Sequence, residues 1–189
     1  MAKKRTPRPG IYDPSRYELL DGEMFVHFAA AVRHQAVVRE VTCRLNRYLK
    51  ENPIGQVLPA AGIMLDPFHW LVPDVAYVSR ARQASIVQAD WLRGVPDLVI
   101  EVLDPGKITD WVDREVKPRI YGKQGAAEYW LVDPENHAIE VFGGRKGQPM
   151  RRRRVWGAAD VAKSRLLPKF ALPVAELFAG AAIGKSLRG

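Results

Sequence analysis

The sequence predicts an α/β fold in which a mixed β-sheet is flanked by helices, with an N-terminal β-hairpin and additional antiparallel strands. Three observations predict it. The run Asp97-Leu98-Val99-Ile100-Glu101-Val102-Leu103 is apolar on both alternations, the pattern of a central strand covered on both faces. A helical pattern from Thr109 or Asp110 to about Gln124 separates it from a second apolar run, Glu128 to Asp133, so strand, helix and strand form a crossover unit. Tyr17 to Phe28 reads as two short strands meeting at Asp21-Gly22, the strongest short hairpin signal in the chain.

The remaining elements follow in order. Residues 1–10 form a basic, Pro-rich stretch without apolar periodicity and are expected to be a disordered tail, with 11–189 as one domain. His34 to Lys50 places Val37, Val38, Val41, Leu45, Tyr48 and Leu49 at helical spacing, and Asn52-Pro53 ends the helix. Segments 54–59, 61–65 and 71–79 read as strands punctuated by Gly and Pro, with His69-Trp70 in a loop. A polar, partly helical connection containing Trp91 leads to the central strand, which Asp104-Pro105-Gly106 stops. Ala138 to Phe142 follows Glu128 to Asp133 around a Pro134-Glu135-Asn136 turn. A flexible Gly143 to Pro149 loop, the basic run Arg151 to Arg154, and a terminal helix over Val174 to Ala182 complete the chain.

Composition narrows the function classes. At 189 residues and 47% hydrophobic content the chain can bury one ordinary core. Cys43 is the single cysteine, which excludes an internal disulfide and a multi-cysteine zinc site and suits a reducing cytoplasm. No run has the apolar length of a bilayer span, and Met1-Ala2-Lys3-Lys4-Arg5 leads into prolines instead of a signal core, so a cytoplasmic, membrane-free protein is expected. A formal net charge of +8 favours a polyanionic partner such as nucleic acid, because Lys and Arg release counterions condensed on phosphates.

The chemistry concentrates between Pro73 and Lys117. Asp74 and Glu101 each sit in an apolar, strand-like run, and a carboxylate so placed needs a cation, a hydrogen-bond network or a metal. Oxygen ligands on rigid strands are what Mg²⁺ selects. The structural alternatives are specific: Pro-Asp pairs mark strand entrances, so Asp74 alone reads as structural, and Asp97 reads as a cap or turn residue outside a metal shell. Glu101 is harder to dismiss, since it interrupts Leu98-Val99-Ile100 and Val102-Leu103. Lys117 alone reads as a solvated helix residue, and the adjacent Pro118 implies a kink or a late helix start. Glu18 has Glu23 as a competitor, and the structural alternative for either is a solvent-facing position across the hairpin. His34 reads as a helix-start or core histidine, with lining of the cleft as the minority reading. Tyr129 and Trp130 read as core. Arg151 to Arg154 would alternate across a strand, as edge protection or as a phosphate-binding ridge.

Taken together, Tyr17-Glu18-Leu19-Leu20-Asp21-Gly22-Glu23, His34-Gln35, Pro73-Asp74-Val75, Pro96 to Val102, Lys117 with Tyr121 and Gly125, and Glu128 to Pro134 resemble the Uma2 endonuclease family of the PD-(D/E)xK, restriction-endonuclease-like superfamily. The resemblance spans roughly residues 16 to 180. It implies a restriction-endonuclease-like mixed sheet flanked by helices, a divalent metal (Mg²⁺ or Mn²⁺) and phosphodiester hydrolysis, without fixing the substrate, for which DNA is the expectation. It also implies that Asp74 and Glu101, with the backbone carbonyl of Val102, hold the metal. The lysine expected two residues after the glutamate is Leu103 here, and the resemblance implies that it has migrated to Lys117, to orient or deprotonate water or to counter phosphate charge. Glu18 matches the family's N-terminal acidic position, as a further metal or water ligand. Cutting both strands of a duplex takes two sites, which would make the protein a homodimer. The alternatives are a non-catalytic nucleic-acid-binding protein that retains the nuclease fold, or a structural interaction protein.

Overall fold

The computed structural model describes residues 17–26, 30–104 and 109–182. The N-terminal tail, the end of the expected hairpin at 27–28 and the stop at Pro105-Gly106 lie outside them. The central element is a six-stranded sheet in the order β11-β10-β9-β8-β6-β3, built from β3 (Gly55–Pro59), β6 (Val75–Ser79), β8 (Leu98–Val102), β9 (Glu128–Asp133), β10 (Ala138–Gly143) and β11 (Arg151–Trp156). Strands β8 and β9 are parallel and the other neighbours antiparallel, so the sheet is mixed as the sequence predicts. All five residues of β8 are buried, as an element covered on both faces requires.

The two faces carry two cores. Helix α1 (Val32–Glu51) lays Val37, Val41 and Leu45 on one face, against Tyr77, Leu98, Ile100, Trp130 and Val132, and α5 (Val174–Gly180) adds Leu177. On the other face lie α3 (Thr109–Trp111), a π-helical turn (Val112–Val116) and α4 (Lys117–Gln124), which run on without a break. There Val112, Ile120 and Tyr121 pack on Val99, Tyr129 and Leu131. The alternation along β8 therefore decides which side each residue serves: Ile100 and Val102 face α1, and Val99 and Leu103 face α4.

A second sheet, β2-β1-β5-β4-β7, joins the α4 face. It comprises β1 (Tyr17–Leu20), β2 (Glu23–Val26), β4 (Ile63–Asp66), β5 (His69–Leu71) and β7 (Leu92–Arg93), and buries Leu20, Ile63, Leu71 and Leu92. The hairpin between β1 and β2 turns at Asp21-Gly22, both at positive φ, the backbone that Asn/Asp-Gly turns supply. Helix α2 (Arg80–Ile86) lies in the connection before β7, and β12 (Val161–Ala162) pairs with β13 (Leu172–Pro173).

Two local expectations change. The 71–79 run is not one strand: it breaks at Pro73-Asp74, where Pro lacks a ladder N–H, and His69-Trp70 belong to β5 instead of a loop. Pro118 neither breaks nor delays the helix. Its missing N–H follows directly on the π-turn, where Lys117 N–H bonds back to Val112 O, five residues earlier. Among the described residues, no helix is long and apolar enough to cross a membrane.

Candidate active site

Strand register builds the site. Val75 pairs with Ile100 in the antiparallel β6–β8 ladder, so the residue before Val75 stands opposite the residue after Ile100, and Asp74 meets Glu101. Asp74 N–H donates to Glu101 Oε2 at 3.3 Å, and Val102 N–H donates to Asp74 Oδ2 at 2.7 Å. The two acidic residues sit at the sheet end that opens toward the start of α1. From that helix, His34 Nε2 reaches the same Asp74 Oδ2 at 3.1 Å.

Glu101 points to the α4 face, where the crossover helix delivers Lys117. Its ammonium lies 2.9 Å from Glu101 Oε1, 3.1 Å from Glu18 Oε2 and 2.9 Å from Asp113 Oδ1. Glu18 comes from the second sheet: Leu19 pairs with Trp70, which brings Glu18 Oε1 to Val72 N–H at 2.9 Å. Glu18, and not the exposed Glu23, is the buried acid of the hairpin. Three carboxylates on three segments thus surround one ammonium at the junction of the two sheets, and a fourth, Asp74, lies beside Glu101.

The charges are unbalanced, and the protonation equilibria register it. Burial drives the Glu101 carboxyl well above the usual range; Lys117 opposes this, while Asp74, Asp113 and Glu18 add to it. Asp113 is pushed up chiefly by burial. For Lys117 burial works against the charge, but Asp113, Glu101 and Glu18 outweigh it and hold its pKa well above the ordinary lysine value. Burial also disfavours the His34 imidazolium, yet Asp74, Asp104 and the Val102 backbone raise its pKa. Tyr121, one turn after Lys117, has its pKa raised well above the ordinary value by burial and the nearby acids.

The donor set fits a hard dication. Mg²⁺ takes one or two protein carboxylates and keeps waters or substrate oxygens in its other positions, which a pair such as Asp74 and Glu101 provides. Among the described residues no group of three or more His, Cys, Asp and Glu side chains is arranged to hold an ion alone. Three buried polar atoms, His34 Nδ1, Trp70 Nε1 and Tyr121 Oη, have no hydrogen-bond partner among the described residues, and the first and last belong to side chains that interact electrostatically with this acidic cluster. Of these acids the Asp74 side chain is 22% exposed, against 12% for Asp113 and 5% for Glu101.

Asp74, Glu101, Lys117 and Glu18, the residues singled out in the sequence, are brought together, and Val102 meets Asp74 through its N–H. Asp113 was missed. Its signal was present as an acid four residues before Lys117 on the same helix, a spacing that places the two side chains together. His34 lines the site instead of filling a core. Asp97 stays outside, accepting from Ser79 N–H and Arg82, and Tyr129 and Trp130 are fully buried.

Comparisons with known proteins agree with this architecture. The family described as "Uma2: Putative restriction endonuclease" matches residues 6–175. A solved structure titled as a putative nuclease belonging to DUF820, from Anabaena variabilis, superimposes with a TM-score of 0.71 at 20% identity, over 88% of this chain and 91% of that one. No curated protein matches.

Proposed function

The chain belongs to the Uma2 family, and from that membership we propose that it is a Mg²⁺- or Mn²⁺-dependent endonuclease that hydrolyses phosphodiester bonds of DNA at the Asp74–Glu101–Lys117 site. The observation that carries this reading is the surplus of negative charge: Glu18, Glu101 and Asp113 share one ammonium, Asp74 adjoins Glu101, and burial with the neighbouring acids holds the Glu101 carboxyl above its usual range despite Lys117. A buried cluster of that kind is stable only with added protons or an added cation.

A dication held there supplies Lewis acidity toward a phosphate oxygen and acidifies a coordinated water. Asp74 and Glu101 would hold it, with the Val102 carbonyl as the backbone donor. Val102 N–H and His34 fix Asp74 Oδ2 and so set the direction of the other oxygen. Lys117 acts as a fixed cation and not as a base. With three carboxylates around it, the amine keeps its proton, so it orients water and offsets the charge that accumulates on the phosphate. Glu18 and Asp113 anchor the ammonium so that it stays on Glu101.

The competing reading, a binding protein that keeps the fold without catalysis, rests on Leu103 standing where a lysine is expected and on Pro118 next to Lys117, although the helix runs through Pro118. A lysine reaching Glu101 from α4 supports the catalytic reading instead. The test is a thermal-shift titration with Mn²⁺ of the wild type and of Asp74→Asn. Stabilisation that saturates with metal and disappears in the variant supports the site, and an equal shift in both proteins removes it.

A further inference from the structure

Positive charge is segregated in this fold. In residues 134–182 nine Lys and Arg face four Asp and Glu, whereas the other described residues carry twelve basic against sixteen acidic. The basic excess centres on β11, the edge strand of the six-stranded sheet, where Arg151, Arg152, Arg153 and Arg154 are all exposed. Arg152 is paired with Glu140 at 2.7 Å, Arg153 donates to Gly143 O, and Arg154 lies over the Trp156 ring at 4.4 Å. Among the described residues no carboxylate pairs with Arg151, Arg153 or Arg154.

The strand is also irregular in a way that spreads these cations. The β10–β11 register shifts between Val141 and Phe142, so Arg154 opposes Val141, Arg152 opposes Phe142, and Arg153 is the extra residue of a bulge. Arg152 therefore falls on the α4 face beside Glu140 and Arg154 on the α1 face beside Trp156. The arginines straddle the edge instead of forming a single row.

Register ties this edge to the active site. Arg154, Val141, Trp130 and Ile100 lie in one row across β11, β10, β9 and β8, adjoining the row of Glu101. Three strand spacings of about 4.8 Å put the Arg154 backbone about 14 Å from Ile100. That is less than one turn of a DNA duplex, about 34 Å, so one bound duplex can reach both.

We propose that the β11 arginine edge is a docking surface for the phosphate backbone of duplex DNA, which it holds along the side of the sheet while the scissile phosphate enters past Asp74. Unpaired guanidiniums bind phosphate with bidentate geometry and release counterions, so the contact is independent of sequence. The inference rests on the nuclease reading and names the surface by which the same substrate is held.

The experiment is fluorescence anisotropy with a short labelled duplex and no divalent metal, across a range of NaCl concentrations. It compares the wild type, Arg151→Gln/Arg153→Gln/Arg154→Gln, and a control with three exposed bases removed elsewhere, Lys50→Gln/Arg80→Gln/Arg93→Gln. All six positions are exposed, and a melting curve confirms each variant's fold. The edge variant is expected to bind at least tenfold more weakly, and its plot of log affinity against log salt to flatten by about 2.7, at about 0.9 per lost phosphate contact, while the control keeps the wild-type slope. Equal slopes for the edge variant and wild type, or equal losses in edge and control variants, overturn the proposal. So does an edge variant that self-associates yet binds duplex as the wild type does, since the arginines then serve only to protect an open edge. Glu101→Gln separates the two readings: its loss of cleavage with an unaltered edge variant leaves the nuclease standing without this surface, and a wild type that binds no duplex removes both.

Discussion

Lys117 Nζ lies 2.9 Å from Glu101 Oε1 although the two residues are sixteen apart, and the residue two positions after Glu101 is an aliphatic one in the core. Leu103 points to the same face of β8 as Glu101, so a lysine there would have filled the volume that α4 now serves. The crossover helix supplies the charge from the side, and the π-turn before Lys117 sets the angle at which it arrives.

Lys117→Met is expected to reduce cleavage by roughly 100-fold or more, as loss of a fixed cation facing developing charge does. It also leaves Glu18, Glu101 and Asp113 uncompensated, which costs about 3–5 kcal/mol of stability. Single-turnover cleavage and a urea melt check the two effects separately.

His34 holds the one Asp74 oxygen that also accepts from Val102 N–H. His34→Ala should weaken Mn²⁺ binding about 10- to 100-fold, the usual cost of removing a group that orients a metal ligand. Calorimetric titration measures it, and His34→Gln, which keeps a donor, should recover part of the loss. Unchanged metal affinity in the alanine variant would make His34 a packing residue.

Asp113 holds the Lys117 ammonium from one turn earlier, whereas the Asp74 carboxylate is held by His34 and Val102 N–H. Asp113→Asn should therefore leave metal affinity within severalfold of wild type and, because burial raises the Asp113 carboxyl, should not lower stability at pH 7. Paired urea and Mn²⁺ titrations read both.

Asp133 sets an acid limit on stability. Burial raises its pKa, but the Asn136 side chain and backbone, the Glu135 N–H and the Arg114 charge outweigh that and hold the carboxyl below its ordinary value. A depressed carboxyl contributes its stability above the unfolded-state pKa, about 3.9, and loses it as pH falls through the lower folded value. Asp133→Asn should thus be less stable than wild type at pH 7, with the gap closing below about pH 4. Urea midpoints across that range test it; a gap constant with pH would assign the loss to hydrogen bonds alone.

Much of this was legible in the sequence because it is local. Apolar alternation located β8 and β9, Asp21-Gly22 gave the hairpin, and acids embedded in apolar runs flagged Asp74 and Glu101. What was hidden depends on contacts distant in sequence. That His69-Trp70 pair as a strand depends on β1 and β4, which lie beside them only in the folded sheet. Pro118 is tolerated because of a π-turn that no local propensity announces. Asp113 became visible once Lys117 was known to be buried, since on an exposed helix the same spacing describes an ordinary surface ion pair.

Nicking of supercoiled plasmid with and without Mg²⁺ or Mn²⁺, by the wild type and by Glu101→Gln, tests the central claim most directly. The account predicts metal-dependent nicking by the wild type and none by the variant, which still binds DNA. Nicking by Glu101→Gln at the wild-type rate, nicking by the wild type without metal, or no nicking by the wild type with either metal would contradict it.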